Sequence, residues 1–456
     1  MNSQENEFEN YKNIPDLIEP SIQMSEPNST INIFKGEFIL RNGDCDITMS
    51  GGIDYDWYPS TGSHFYGKPI ITSAALAKII NNENSFDVVI DGLLFAKGLI
   101  IETTFGGEGP NSIKGIINKE AVLGDKTIPV NKISFSIPNF MDFIGKPVKR
   151  VHYENITLLT NRFTFENDNY IITIDKVFDY KERRESLKKK GGYLILLGGE
   201  LVCKKGSVSF SETKEIFACF DTFLTFLNGR KTSALFIKGM SENQCVWSDF
   251  SDYYVDSYKY VRSWPKQNSK HDFDQLWCNF NKLWKHEDNK DFLTSLIHWY
   301  VEANGNSVFS EGSIIMAQTA LELVYNWWII EQKRMIIGKD TENINASNKI
   351  RLLLSQLNLS QEMPDRIPNL IDFMNKTENI PDIPEAIVYI RNAIVHSQVE
   401  KRKKLSAIHG LAIFEALQVY LWYIELSLLR ILDYKGEYSN RCTNIYKKKE
   451  FVPWIV

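Results

Sequence analysis

The hydrophobic pattern of this chain changes period part-way along, and that change limits the possible folds more than any other feature. From about 31 to 240 the apolar residues alternate or are β-branched, in INIFKGEFIL (31–40), FDVVIDGLLF (86–95), GLIIETTF (98–105), KISFSIP (132–138), RFTFENDNYIITID (162–175) and GYLILLGGELV (192–202). Gly, Asn, Asp and Pro separate these runs, so they read as short strands. Their spacing suggests a sandwich or curled sheet rather than βαβ units. One helix, at about 212–227, ends at Asn228-Gly229. Beyond the polar stretch SWPKQNSKHD (263–272) the apolar residues recur every three or four positions. The pattern predicts helices at about 273–286, 290–303, 310–337, 345–357, 363–375, 383–397 and 401–433. The expected fold is α+β: a β-rich, sandwich-like domain over 31–264, then an all-α helical bundle over 265–456. Residues 1–30, rich in Asn, Glu, Ser and Pro, are expected to be a flexible tail with a short docking segment at Ile14 to Ile22.

The formal charge, 52 basic against 57 acidic residues, is −5 and excludes a uniformly basic nucleic-acid coat. The longest apolar stretch, 411–432, is interrupted by Glu415, Gln418, Glu425 and Arg430. A bilayer span needs about 20 nearly uncharged residues, so no membrane segment is expected. The opening MNSQENEFEN has neither the basic nor the apolar region of a signal peptide. The six cysteines form no CxxC pair, which argues against structural zinc and fits a reducing compartment. The expected location is the cytoplasm.

The common phosphate-cradling, zinc-protease and serine-hydrolase motifs are absent, so neither cofactor nor metal is expected. Gly106-Gly107-Glu108-Gly109-Pro110 reads as a plain loop, and the basic run KERRESLKKK (181–190) falls in a loop of the β domain, either contacting RNA phosphates or simply solvated. The stretch GGIDYDWYPSTGSHFYG (51–67) has two readings. Strand alternation puts Asp54 and Asp56 on one face and Tyr55 and Trp57 on the other. The acidic face suits a sugar or a base, as in a carbohydrate-active protein; alternatively the segment is a half-buried strand with aromatic core contacts.

The most compact polar constellation is Ile-Arg-Asn-Ala-Ile-Val-His-Ser over 390–397. On a helix, Asn392 and His396 share a face and Arg391 lies beside it. An Arg–His pair is sufficient for metal-free RNA cleavage. The imidazole moves protons near neutrality, and the guanidinium offsets charge developing on phosphorus. Asn392 would fix the orientation of the imidazole ring or hold a phosphate oxygen. The competing reading is an ordinary polar cluster near a helix end.

The segment RNAIVH (391–396) resembles the Rx4–6H motif of HEPN domains. Its setting, with EGSIIMAQTALELVYNWW (311–328) before it and LSLLRILDYKGEYSNR (426–441) after, resembles the Apea-like branch found in bacterial anti-phage defence. That resemblance covers about 270–445, with a fainter likeness at 198–239 to the β-rich domain that precedes such modules. It implies a helical homodimer with a composite, metal-independent endoribonuclease site. The catalytic residues would be Arg391 and His396, supported by Asn392, and the products would carry 2′,3′-cyclic phosphate ends. The partners would be RNA, with tRNA as one candidate, and a phage-derived trigger sensed by the β domain. Glu322 is a candidate facing acid, or one half of a helix-surface ion pair. Gln398 replaces the tyrosine found in nucleotidyltransferase-paired members. Residues 391–456 hold 11 Lys or Arg against 6 Asp or Glu. Within them Lys401, Arg402, Lys403 and Lys404, with Lys447, Lys448 and Lys449, are candidate RNA-phosphate contacts; the other reading is a solvated helix start and tail. The alternative function is a non-catalytic nucleotide- or partner-binding HEPN module with a ligand-sensing β domain.

Overall fold

The computed structural model of the chain describes residues 11, 13–43, 45–70, 85–106, 111–152, 155–265, 273–305, 310–359, 364, 366–395, 399–443 and 450–455. The chain divides into two compact units: residues 1–221 with 232–259, and residues 222–231 with 260–456.

In the first unit, six antiparallel strands close into a barrel. They are β1 (Ile31–Asn42), β2 (Cys45–Asp56), β3 (Gly62–Pro69), β4 (Ser85–Ile90), β5 (Leu93–Thr104) and β6 (Ser112–Gly124). The ring order is β3-β2-β1-β4-β5-β6, and β3 pairs with β6 to shut it, His64 opposite Ile116. Alternate residues fill the interior: Phe38, Met49, Ile53, Phe65, Val88 and Ile113 are all buried. A ring this small is filled by side chains, and here one side chain dominates. A Cβ on Gly115 would lie 2.0 Å from Phe65 Cζ, and one on Gly98 2.8 Å from Phe65 Cε1, so both glycines make room for that ring. Asp91 and Gly92 both have positive φ, 50° and 79°, and turn β4 into β5. Two left-handed residues are what a two-residue hairpin turn demands, and Asp-Gly supplies them. The apolar run 86–95 is therefore two strands, not one.

From β6 the sheet runs on as β13 (Gln244–Asp249), β12 (Leu235–Ser241), β7 (Lys132–Pro138), β11 (Ile195–Cys203), β10 (Tyr170–Lys176), β9 (Asn155–Glu166) and β8 (Lys146–His152). The expected sandwich is thus replaced by a barrel that opens into one 13-stranded sheet among the described residues. Period-two alternation marks the buried face of each strand; it is silent on whether the sheet curls until two edges meet.

Helix α1 (Tyr180–Lys190) stands where the basic run suggested a loop. Four of its cations are paired, Arg183 with Asp179, Arg184 with Asp142, Lys188 with Glu185 and Lys190 with Glu26. Helix α2 (Phe210–Asn228) starts on a capping box. Glu212 Oε2 accepts from the Ser209 N–H at 2.8 Å, and Ser209 Oγ accepts from the Glu212 N–H at 3.2 Å. Phe217 and Phe220, one helical turn apart, meet Phe135 edge-on.

The docking segment expected near Ile14–Ile22 lies against this sheet. The Leu17 N–H donates to Lys149 O, and the Lys149 N–H to Pro15 O, both at 2.9 Å. Gly198 on β11 lets it pass: a Cβ there would sit 2.4 Å from Pro20 N.

The second unit contains α3 (Phe273–Trp284), α4 (Glu287–Gly305), α5 (Ser310–Val324), α6 (Asp340–Asn343), α7 (Ala346–Gln356), α8 (Pro368–Lys376), α9 (Ile383–Val395), α10 (Val399–Ala407) and α11 (Gly410–Ile431). It is not the all-α bundle that the resemblance implied, and no HEPN-type bundle is evident. A π-helical segment, Tyr325–Gln332, follows α5, with the Lys333 N–H reaching Trp328 O at 3.0 Å. A small antiparallel pair, β14 (Glu437–Tyr438) and β15 (Glu450–Phe451), lies near the C-terminus. The expected helix 401–433 is two helices, because His409 caps α11: its Nδ1 accepts from the Leu411 N–H at 3.3 Å. Apolar periodicity runs through a cap of this kind unmarked, since histidine is not among the usual capping residues. Helix α11 is long and apolar enough to cross a membrane, but 83% of its most apolar window is buried within the protein. That is the behaviour of a core helix.

Candidate functional site

Two polar sites stand out, one in each unit. In the helical unit, α5, α9 and α11 bring together Gln318, Glu322, Arg391 and Tyr420. The Tyr420 hydroxyl lies 2.8 Å from Gln318 Oε1 and 3.1 Å from Ile387 O. Gln318 Nε2 donates onward to Glu322 Oε1 at 3.0 Å. Tyr420 and Gln318 are buried. Burial pushes the Tyr420 hydroxyl well above the ordinary phenol range; the Arg391 charge pulls it back and the Glu322 charge pushes it further. Arg391 and Glu322 therefore both act electrostatically on one buried hydroxyl.

Arg391 Nη1 donates to Asn392 Oδ1 at 3.1 Å, so the Asn392 amide oxygen is spent on the arginine rather than on the histidine ring. Arg391 Nε is buried with no hydrogen-bond acceptor among the described residues. An unmatched guanidinium N–H costs about 1–3 kcal/mol, which is a reason to look for a function. His396 lies outside the described residues, as do Gln398 and Lys447 to Lys449. Lys401 and Arg402 fall in the first turn of α10. Lys403 and Lys404 are exposed on that helix, with Lys404 Nζ 5.8 Å from the Tyr389 ring centre. Gln318 and Tyr420 were missed in the sequence, although Gln318 stands four residues before Glu322 on one helix face, a spacing that pairs side chains.

The second site is a cavity of about 440 Å³ in the barrel unit. It opens on the outer side of the barrel, where β3 and β6 meet. Its walls include Asp56, the turn 58–62, His64, Lys114, Ile116, Phe250 and Asp252. The alternation expected at 51–57 holds: Tyr55 and Trp57 are buried and meet edge-on at 5.1 Å, while Asp54 and Asp56 face outward. The two acids then part. Asp54 accepts from Asn32 Nδ2 at 2.7 Å and is not among the lining residues. Asp56 accepts from Thr30 Oγ1 at 2.6 Å and lies 3.4 Å from His64 Nδ1. Across the cavity Asp252 accepts from Thr61 Oγ1 at 3.1 Å. The loop expected at Gly106–Pro110 is described only at Gly106, whose N–H donates to Asn111 Oδ1 at 3.1 Å.

Residues 125–261 match the family described as the YopA central domain, and residues 286–451 the YopA C-terminal domain. The chain is similar along its length to the SPbeta prophage-derived uncharacterized protein YopA of Bacillus subtilis (strain 168). They are 27% identical over 460 residues, covering 96% of this chain and 98% of that relative. No solved structure matches the chain. The Arg391 cluster lies wholly within the C-terminal match. The cavity is built mainly from strands that precede the central match.

Proposed function

We propose that the helical unit cleaves RNA without a metal ion. What supports this reading is the convergence of Arg391 with Glu322, Gln318 and Tyr420, together with the spacing of Arg391, Asn392 and His396. In the proposed reaction His396 takes the proton of a ribose 2′-hydroxyl. The 2′-oxygen bonds to phosphorus, the bond from phosphorus to the 5′-oxygen breaks, and the His396 imidazolium gives its proton to that leaving oxygen. The products are a 2′,3′-cyclic phosphate and a 5′-hydroxyl. Arg391 offsets the charge that grows on the phosphoryl oxygens, and Asn392 fixes its orientation. Lys401, Arg402, Lys403 and Lys404 take neighbouring phosphates. The active form is a homodimer in the cytoplasm, with tRNA among its substrates.

The proposed setting is conflict between phage and host, an idea supported by the prophage origin in the relative's name. The barrel unit restrains cleavage until a phage-derived trigger arrives. The test replaces the ribose 5′ to a mapped cut with its 2′-deoxy form. Attack by the 2′-hydroxyl predicts that this one bond survives while others are cut; its cleavage at the normal rate would overturn the mechanism. A second reading, an RNA- or nucleotide-binding module that does not cut, draws on Arg391 already spending one N–H on Asn392. It predicts RNA retention with no new ends.

A further inference from the structure

We infer that the cavity on the outer side of the barrel is a binding site for a short, neutral saccharide. Its chemistry selects against most other ligands. Two carboxylates, Asp56 and Asp252, line the cavity, and each already accepts a hydroxyl, from Thr30 and Thr61. An ionised carboxylate has about four acceptor positions, so each keeps capacity for further hydroxyl donors. The lining cation Lys114 is held by Glu102 at 2.9 Å. An anionic ligand such as a nucleotide phosphate would therefore face two carboxylates with its one fixed counter-charge already engaged. Among the described residues no three His, Cys, Asp or Glu side chains group closely enough to hold a metal ion.

The remaining lining fits a sugar ring. Ser60, Thr61, Ser63 and Asn118 offer further hydroxyl and amide partners. Tyr58, Ile101 and Ile116 are large apolar side chains exposed at 53%, 63% and 43%, all in the same lining. Exposed apolar groups beside convergent polar ones mark a binding surface. Here they would cover the C–H face of a ring whose hydroxyls reach the carboxylates. Tyr58 is braced by Tyr193, 5.7 Å away between ring centres, so little motion is lost on binding. The volume of about 440 Å³ lies in the range of small-ligand pockets. The site shares no residue with the Arg391 cluster and does not depend on RNA cleavage.

The test uses the full-length chain and ligand-observed saturation-transfer NMR with galactose, glucose, N-acetylglucosamine and maltose, beside spermidine and uridine monophosphate. We expect at least one sugar to show saturable transfer. Asp252→Asn and Tyr58→Ala should each weaken that binding about tenfold or more, the size of one good polar contact, with the unfolding midpoint unchanged. Tyr58 is exposed, so its truncation leaves the fold intact and the result readable. Transfer to spermidine or uridine monophosphate but to no sugar would overturn the assignment. So would sugar binding that both variants leave untouched.

Discussion

Glu425 and Arg441 meet in the core of the helical unit through two hydrogen bonds, Nε to Oε2 at 2.9 Å and Nη2 to Oε1 at 2.7 Å. Both side chains are almost fully shut off from solvent, and the Tyr300 hydroxyl donates to the same carboxylate at 2.6 Å. The pair ties the segment after α11 to the middle of that helix. Either charge alone would be stranded. Glu425→Ala or Arg441→Ala should therefore cost about 3–5 kcal/mol, and Tyr300→Phe only about 1 kcal/mol. Urea unfolding of the three variants checks this order.

The barrel unit carries a pH dependence of known sign. Burial of much of the Asp221 side chain pushes its carboxyl well above the ordinary 3.8, although the Ala234 N–H donates to it. Asp249 is raised by burial as well, against bonds from Ser251 and Tyr253. A raised carboxyl binds its proton more tightly when folded than when unfolded. Its contribution to stability is full below the unfolded value and is lost as pH rises through the folded one. Asp221→Asn cannot ionise, so its stability relative to wild type should climb as pH rises from 4 toward neutrality. Paired denaturation curves across that range would show it; a flat difference would contradict it.

The packing of Phe65 in the barrel predicts an overpacking effect. Gly115→Ala places a methyl 2.0 Å from the ring and should destabilise by about 1–3 kcal/mol. Phe65→Leu in the same chain should recover part of that loss, because the clashing ring atoms are gone while Leu99 O, 2.5 Å from the methyl, stays. Thermal melts of both variants and the double variant measure this coupling.

The N-terminal segment predicts a local release. Asp175 is buried, accepts from Arg162 Nε at 2.8 Å and from Nη2 at 2.6 Å, and accepts from the Ile18 N–H at 2.8 Å. Arg162 Nη2 also donates to Asp16 O. Asp175→Ala strands that guanidinium and frees the segment. Brief thermolysin treatment should then cut before Leu17, Ile18, Ile22 or Met24 well before the wild type is cut there, as mass spectrometry would report.

Individual elements of this fold were legible, for identifiable reasons, while the expected sandwich-and-bundle architecture was not what formed. The strand at 132–138 and the helices at 273–284 and 346–356 carry clear periods and clear stops, and they stand close to where expected. Barrel closure was not legible, because it depends on β3 meeting β6, residues 64 and 116 apart in sequence. The division of 401–433 was hidden because His409 supplies a cap by a ring nitrogen rather than by a side-chain oxygen. At the candidate site, Arg391 and Asn392 stood out by type and spacing. Tyr420 lies within the apolar stretch 411–432, and only the fold sets it beside Gln318.

The central claim is that Arg391 serves RNA cleavage, and one assay tests it most directly. End-labelled tRNA and total RNA are incubated with the full-length wild type, Arg391→Ala and His396→Ala, all in EDTA. The account predicts cleavage by the wild type with cyclic-phosphate ends, and a loss of at least about a hundredfold in either variant, the scale of a transition-state charge contact or a general acid–base group. Cleavage that persists in both variants, or a wild type that holds RNA and never cuts it, would contradict the account.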